Sequence, residues 1–215
     1  MKTSKYLFII DPQNDFIEGG SLAVLGGKEA LQRIVDSRIL DREDWDGIIV
    51  SLDSHNPSHL GFGEPKTELR KYLLRGTERP TQWPPHCIID THGWEIYGPL
   101  QEKLLGMGDR VEYIEKGRWD TDDAYSIFSE KKVFTPLEAF LDMVCSISRE
   151  NRIEIYWTGL AEDYCVLESI REMLEWDIWR NGYPFIKHTL LSDMTACIKE
   201  HIKDENIDVR PYTSS

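Results

Sequence analysis

Residues 153–174 read IEIYWTGLAEDYCVLESIREML, and this junction decides the fold. Its first part, IEIYWTG (153–159), is an apolar run rich in β-branched and aromatic residues, the composition of a buried strand. From residue 163 to 183 the pattern changes to DYCVLESIREMLEWDIWRNGY, where apolar residues return at helical spacing until Gly182 ends the run. Gly159 supplies the turn between the two. A strand that passes directly into a helix is half of a βαβ unit.

The same alternation runs through the chain. YLFII (6–10), GIIVSLD (47–53), VEYIEK (111–116) and PFIKHTLLSD (184–193) read as further strands, with a short terminal strand after them. GKEALQRIVDSRILD (27–41) and PLEAFLDMVCSISREN (136–151) read as amphipathic helices, and a last helix is expected near 195–203. Residues 54–96, with many prolines and glycines, read as a long loop region. Strands alternating with helices imply an α/β fold: a three-layer αβα arrangement around a mostly parallel central sheet of about six strands. Residues 1–215 are expected to form a single domain, in which the charged segment 63–82 is an inserted loop or lid.

Composition narrows the function. The net charge is -13 and the isoelectric point about 4.9, which argues against nucleic-acid or anionic-membrane partners. No apolar run approaches the roughly 18 residues that span a bilayer. The N-terminal apolar patch is cut off by Asp11 before it resembles a signal peptide, so a cytoplasmic location is expected. Four cysteines (Cys87, Cys145, Cys165, Cys197) lack CxxC spacing, which disfavours a disulfide framework and raises the question of a catalytic thiol.

In open parallel sheets, ligands bind beyond the carboxyl ends of the strands. There this sequence carries Asp11, then Asp53 and His55, then Lys116, then Cys165. Cys165 lies about one turn inside a helix, where the helix N-terminus is expected to lower a thiol pKa. Glu162 and Asp163 oppose that effect, so the thiol needs a cation and a base, which Lys116 and Asp11 can supply. Cys145 and Cys197 lie in apolar patterns and read as packing residues. Asp53 and His55 leave one face of a strand end about 6–7 Å apart, a chelating pair awaiting a third ligand. His86, in TQWPPHCIIDTHG (81–93), follows the rigid WPP segment and is the candidate. Its neighbour Cys87 reads as a packed residue and His92 as a solvated one.

These pieces together resemble the nicotinamidase/pyrazinamidase branch of the isochorismatase-like cysteine hydrolases. DPQNDF with GGSLAV, DSHNPSH, WPPHC, the lone lysine of EKGRWDTDDAYSIF, GLAEDYCV and LSDMTA occur in the family's order. The resemblance implies an isochorismatase-like hydrolase fold and a catalytic triad of Asp11, Lys116 and Cys165, acting on a small aromatic amide through a thioester. It implies a cis peptide before Ala161 and an oxyanion hole from the N–H groups of Ala161 and Cys165. It also implies a divalent metal on Asp53, His55 and His86, zinc first with iron(II) or manganese as alternatives. Phe16 and Trp83 match the aromatic residues that sandwich the substrate ring. The expected function is nicotinamide hydrolysis in NAD salvage.

The chain departs from that pattern at IIDTHGWE after Cys87 and at HLGF after the Asp-x-His pair, which brings His59 and Glu64 forward as candidate fourth ligands. Two other readings stay open: a cysteine hydrolase for another small amide or carbamoyl compound, and an inactive relative serving as a binding module. The sequence also leaves open self-assembly into a homo-oligomer.

Overall fold

The computed structural model describes residues 3–59, 61–62, 83–118, 124–128, 152–179 and 186–213. Six strands form one sheet: β1 Thr3–Ile10, β2 Gly47–Asp53, β3 Val111–Lys116, β4 Arg152–Leu160, β5 Ile186–Ala196 and β6 Ile207–Arg210. Their spatial order is β3-β2-β1-β4-β5-β6, and every adjacent pair is parallel. The sheet is thus wholly parallel where a mostly parallel one was expected.

Period-two alternation on β1 divides the interior. Leu7 and Ile9 face a core with Ala30, Leu31 and Ile34 of helix α1 (Gly27–Asp36) and Leu100 and Leu104 of helix α2 (Gly98–Leu105). Tyr6, Phe8 and Ile10 face a second core with Val166, and with Ile170 and Met173 of helix α3 (Leu167–Trp179). Helices therefore cover both faces, and the continuous apolar run YLFII follows from burial on two sides. The close approach of β1 and β4 requires Gly159: at its φ of +104°, a Cβ would lie 2.0 Å from the Ile10 carbonyl oxygen.

Four elements depart from expectation. The helix read as 27–41 ends at Asp36, because Arg38 takes a left-handed conformation (φ +62°) and Ile39–Asp41 form a separate 3-10 turn. Helix α2 occupies residues to which sequence reading assigned no element; its Pro99 near the start is an ordinary helix opener. The α-helix after β4 begins only at Leu167, preceded by a wide π-type turn over Glu162–Val166.

The helix expected at 195–203 does not form. Strand β5 continues to Ala196, and the backbone N–H groups of Ile198, Lys199, Glu200 and Ile202 donate to the side chains of Asp163 and Glu162. Carboxylates take the donors that a helix would have used internally. The expected helix at 136–151, Cys145, the helix-ending Gly182, Glu64 and the charged segment 63–82 lie outside the described residues. Among the described residues, no helix is long and apolar enough to cross a membrane.

Candidate active site

Because all strands run the same way, their carboxyl ends meet along one edge, and the expected residues meet there. Asp11 follows β1 directly, Asp53 ends β2, Lys116 ends β3, and Cys165 lies in the turn after β4. The left-handed backbone of Asp11 (φ +46°) turns the chain out of the sheet at the carboxylate.

Lys116 is the centre of this group, and its side chain is only 1% exposed. Its Nζ stands 2.8 Å from Asp11 Oδ2, 3.0 Å from Asp53 Oδ1 and 3.5 Å from Cys165 Sγ. Ser51 donates its hydroxyl to the remaining Asp11 oxygen at 2.6 Å and accepts the Asp11 N–H at 3.0 Å.

One cation thus serves two buried carboxylates. Burial works against the charge of Asp53, but Lys116 and His55 outweigh it and hold this carboxyl well below its usual range. For Asp11, burial prevails over the pull of Lys116, the nearby Asp53 adds to it, and its affinity for a proton rises. The Cys165 thiol is pushed well up, by burial first and against the pull of Lys116, with Asp11 and Asp53 adding to the rise. The direction is thus upward, opposite to the lowering expected from the helix N-terminus. Glu162 and Asp163 both accept hydrogen bonds from the end of β5 and the chain after it.

Beside this group, Asp53, His55 and His86 are buried, and their ligand atoms all lie within 4.8 Å of one another. His55 Nδ1 faces the Gly117 carbonyl at 2.9 Å and His86 Nδ1 faces the Pro84 carbonyl at 2.8 Å. Carbonyls only accept, so each Nδ1 carries a proton and each Nε2 is turned towards Asp53. Both Nε2 atoms point at Asp53 Oδ2, at 2.9 and 3.3 Å. Two imidazoles oriented by backbone carbonyls, with one ionised carboxylate, form the donor set of a three-residue metal site. A cavity of about 20 Å³ bordered by Asp53, His55, His59, Phe62 and Trp83 has room for a water- or ion-sized occupant. Gly117 makes the approach feasible: a Cβ there would lie 2.6 Å from His55 Cε1 and 2.9 Å from Asp53 Oδ1. The residues fit a divalent metal. His59 packs its ring 4.4 Å from that of His55 and accepts the Gly61 N–H at Nδ1, outside the three-residue group.

The aromatic residues are near but differently engaged. The Phe16 ring lies 5.6 Å from that of His86. Trp83 meets the Tyr164 ring edge-on at 5.4 Å and donates its indole N–H to the Tyr125 hydroxyl at 2.9 Å. Cys87 is fully buried in the core beneath α1 and α2, and burial pushes its thiol well up. The His92 side chain is exposed beside Glu95. The peptide bond between Leu160 and Ala161 is cis.

Several contributors escaped sequence reading. Gln13 brackets Asp53, accepting its N–H and donating to its carbonyl, both at 2.8 Å. Asp15 accepts the N–H of Cys87 at 2.7 Å and so ties down the residue after His86. Ser51, Phe62, Gly117, Tyr125 and Tyr164 are others. The polar density of DPQNDF and the glycine after Lys116 were the available signals; the rest depend on long-range contacts.

No protein-family model matches the chain. Among curated proteins, it is 31% identical over 193 residues to the nicotinamidase/pyrazinamidase of Mycobacterium tuberculosis, covering 88% of this chain and 85% of that one. The chain belongs to the nicotinamidase/pyrazinamidase family. The nicotinamidase of Saccharomyces cerevisiae is 29% identical over 226 residues, covering 95% of this chain and 98% of the relative. A solved structure of the yeast nicotinamidase bound to the inhibitor nicotinaldehyde superimposes with a TM-score of 0.69 at 25% identity, over 97% of this chain and all of that one. The fold is the isochorismatase-like one that family membership implies.

Proposed function

We propose that this protein is a nicotinamidase, an amidohydrolase that converts nicotinamide to nicotinic acid and ammonia through a thioester on Cys165. The observation that carries the reading is the position of Lys116, 2.8 Å from Asp11 and 3.5 Å from Cys165, joined through Asp53 to the two histidines. A generic cysteine hydrolase needs only the first three of these residues. The Asp53–His55–His86 group serves a substrate with a donor atom of its own, such as a pyridine nitrogen.

The chemistry follows from the proton affinities. Burial raises the proton affinity of Asp11, which suits it to take the proton from Sγ. Sγ attacks the carboxamide carbon while its proton passes to Asp11. Lys116 holds the carboxylate and sulfur in register. The carbonyl oxygen becomes an oxyanion, and the N–H groups of Ala161 and Cys165 receive it. Collapse breaks the C–N bond, and the proton on Asp11 leaves with the nitrogen as ammonia. Water then attacks the thioester with Asp11 as base, releasing the carboxylic acid and restoring the thiol.

A divalent metal held by Asp53, His55 and His86, zinc first with iron(II) or manganese as alternatives, would supply a Lewis-acidic point for a ring nitrogen. Phe16 and Trp83 are the proposed walls of the ring site. A reducing cytoplasm suits a free catalytic thiol, and NAD salvage is the expected setting.

The test is ammonia release from nicotinamide by the purified protein, with and without chelator, beside the Cys165→Ala variant. Wild-type activity that is lost in the variant and reduced by chelation is the expected result. An inactive wild type overturns the function, and an active Cys165→Ala overturns the mechanism.

A further inference from the structure

Glu162 has no part in the mechanism above, yet it is a buried carboxylate, 1% exposed, directly between Ala161 and the nucleophile turn. Its side chain leaves that turn and reaches the chain around the end of β5. Oε2 accepts the Thr195 hydroxyl at 2.6 Å and Oε1 accepts the Ile202 N–H at 2.8 Å. His201 Nδ1 lies 3.0 Å from Oε2. The adjacent Asp163 accepts the N–H groups of Ile198 and Lys199 at 2.9 and 2.8 Å.

On its other side the turn is closed internally. The Ala161 carbonyl accepts the N–H groups of Tyr164 and Val166, and the Cys165 carbonyl accepts the Ser169 hydroxyl at 2.6 Å. The segment that carries both proposed oxyanion donors is therefore held from two directions, and Glu162 is the outer hold. Thr195 is fixed in its turn by strand pairing, opposite Gly159 of β4. Charge-assisted hydrogen bonds to a buried carboxylate are the strong, geometrically exacting kind.

We infer that Glu162 is a positioning residue: by gripping Thr195 and Ile202 it sets where the N–H groups of Ala161 and Cys165 point. The inference rests on the nicotinamidase reading above for what those N–H groups receive. It assigns to the β5–β6 connection, remote from the metal ligands, a share in transition-state stabilisation. Substrate binding in the ground state uses other groups, so weakening the grip lowers kcat and leaves KM alone.

Thr195→Val tests this, because it removes the 2.6 Å donor without changing side-chain shape, and Thr195→Ser restores the hydroxyl. The expected kcat loss in Thr195→Val is about tenfold, with KM within about twofold of wild type and recovery in Thr195→Ser. A second readout needs no turnover. Nicotinaldehyde adds the Cys165 thiol across its carbonyl, forming a C–S bond with the thiol proton ending on oxygen, and so probes the oxyanion position. Its affinity should weaken by a similar factor while that of nicotinate is unchanged. Wild-type kcat and aldehyde affinity in Thr195→Val, with only a lower melting temperature, would overturn the inference. If Thr195→Val does not fold, Glu162→Gln is measured in the same way and decides by the same split. A wild type inert towards nicotinamide whose aldehyde affinity still depends on Thr195 would sink the substrate reading and leave the clamp standing.

Discussion

The ammonium of Lys116 lies 3.0 Å from Oδ1 of Asp53, while Oδ2 of the same carboxylate faces His55 and His86. Asp53 is thereby shared between the metal group and the thiol group. Asp53→Asn should lose metal and also lower kcat when metal is in excess, because Lys116 loses one of its two anionic partners. His86→Ala should lose metal affinity but recover a larger part of its kcat as metal is added. Metal stoichiometry by elemental analysis, followed by kcat across a metal titration, separates the two. Equal recovery of both variants would refute the shared role.

The triad base and the buried core thiol should respond oppositely to substitution. Asp11→Asn should lower kcat by about 10²–10⁴, as expected for loss of a positioned general base. Cys87→Ser should keep kcat per folded molecule but cost about 1–3 kcal/mol of stability, because it puts a hydroxyl into an apolar core. Denaturant melts together with active-site titration check both; an inactive but folded Cys87→Ser would move the nucleophile assignment.

Gly117→Ala should weaken metal binding by about 10–100-fold, the usual scale for disturbing groups that orient ligands. The added methyl would press on the His55 ring at 2.6 Å, and the residue's φ of +76° disfavours any side chain. Metal affinity from chelator competition is the readout, with unchanged circular dichroism as the control.

His188 sets a stability limit in acid. It is buried on β5, its Nδ1 accepts the Trp157 indole N–H at 3.2 Å, and burial lowers its pKa from 6.5 to about 4. The folded state therefore prefers the neutral ring. Its contribution is complete above pH 6.5 and is lost as pH falls from 6.5 towards 4, by at most roughly 3 kcal/mol. The stability gap between wild type and His188→Gln, from urea melts, should shrink over that interval. A gap independent of pH would count against the assignment.

The fold was legible because burial on two faces leaves a plain mark. YLFII is an unbroken apolar run and GIIVSLD and IEIYWTG are mostly apolar, and such runs between amphipathic helices form parallel sheets. That Asp11, Lys116 and Cys165 gather, with Asp53, His55 and His86 beside them, was legible for a related reason: each sits at or just beyond a strand end, or follows a rigid WPP turn, so position along the chain implied position in space. The helix expected at 195–203 failed because its N–H donors are taken by Asp163 and Glu162, some 35 to 40 residues earlier in the chain. The lowered thiol pKa failed because helix polarity is local and visible, whereas the burial of Cys165 is not.

By itself, the sequence determined the architecture and which candidate groups stand at the strand ends, since periodicity and residue type are local properties. Only the tertiary structure decided their charges and alignment. That one lysine serves two carboxylates, that both histidines present Nε2, and that Glu162 grips Thr195 are facts about distances across separate strands. Such distances arise when the chain closes into a sheet, and no spacing along it encodes them.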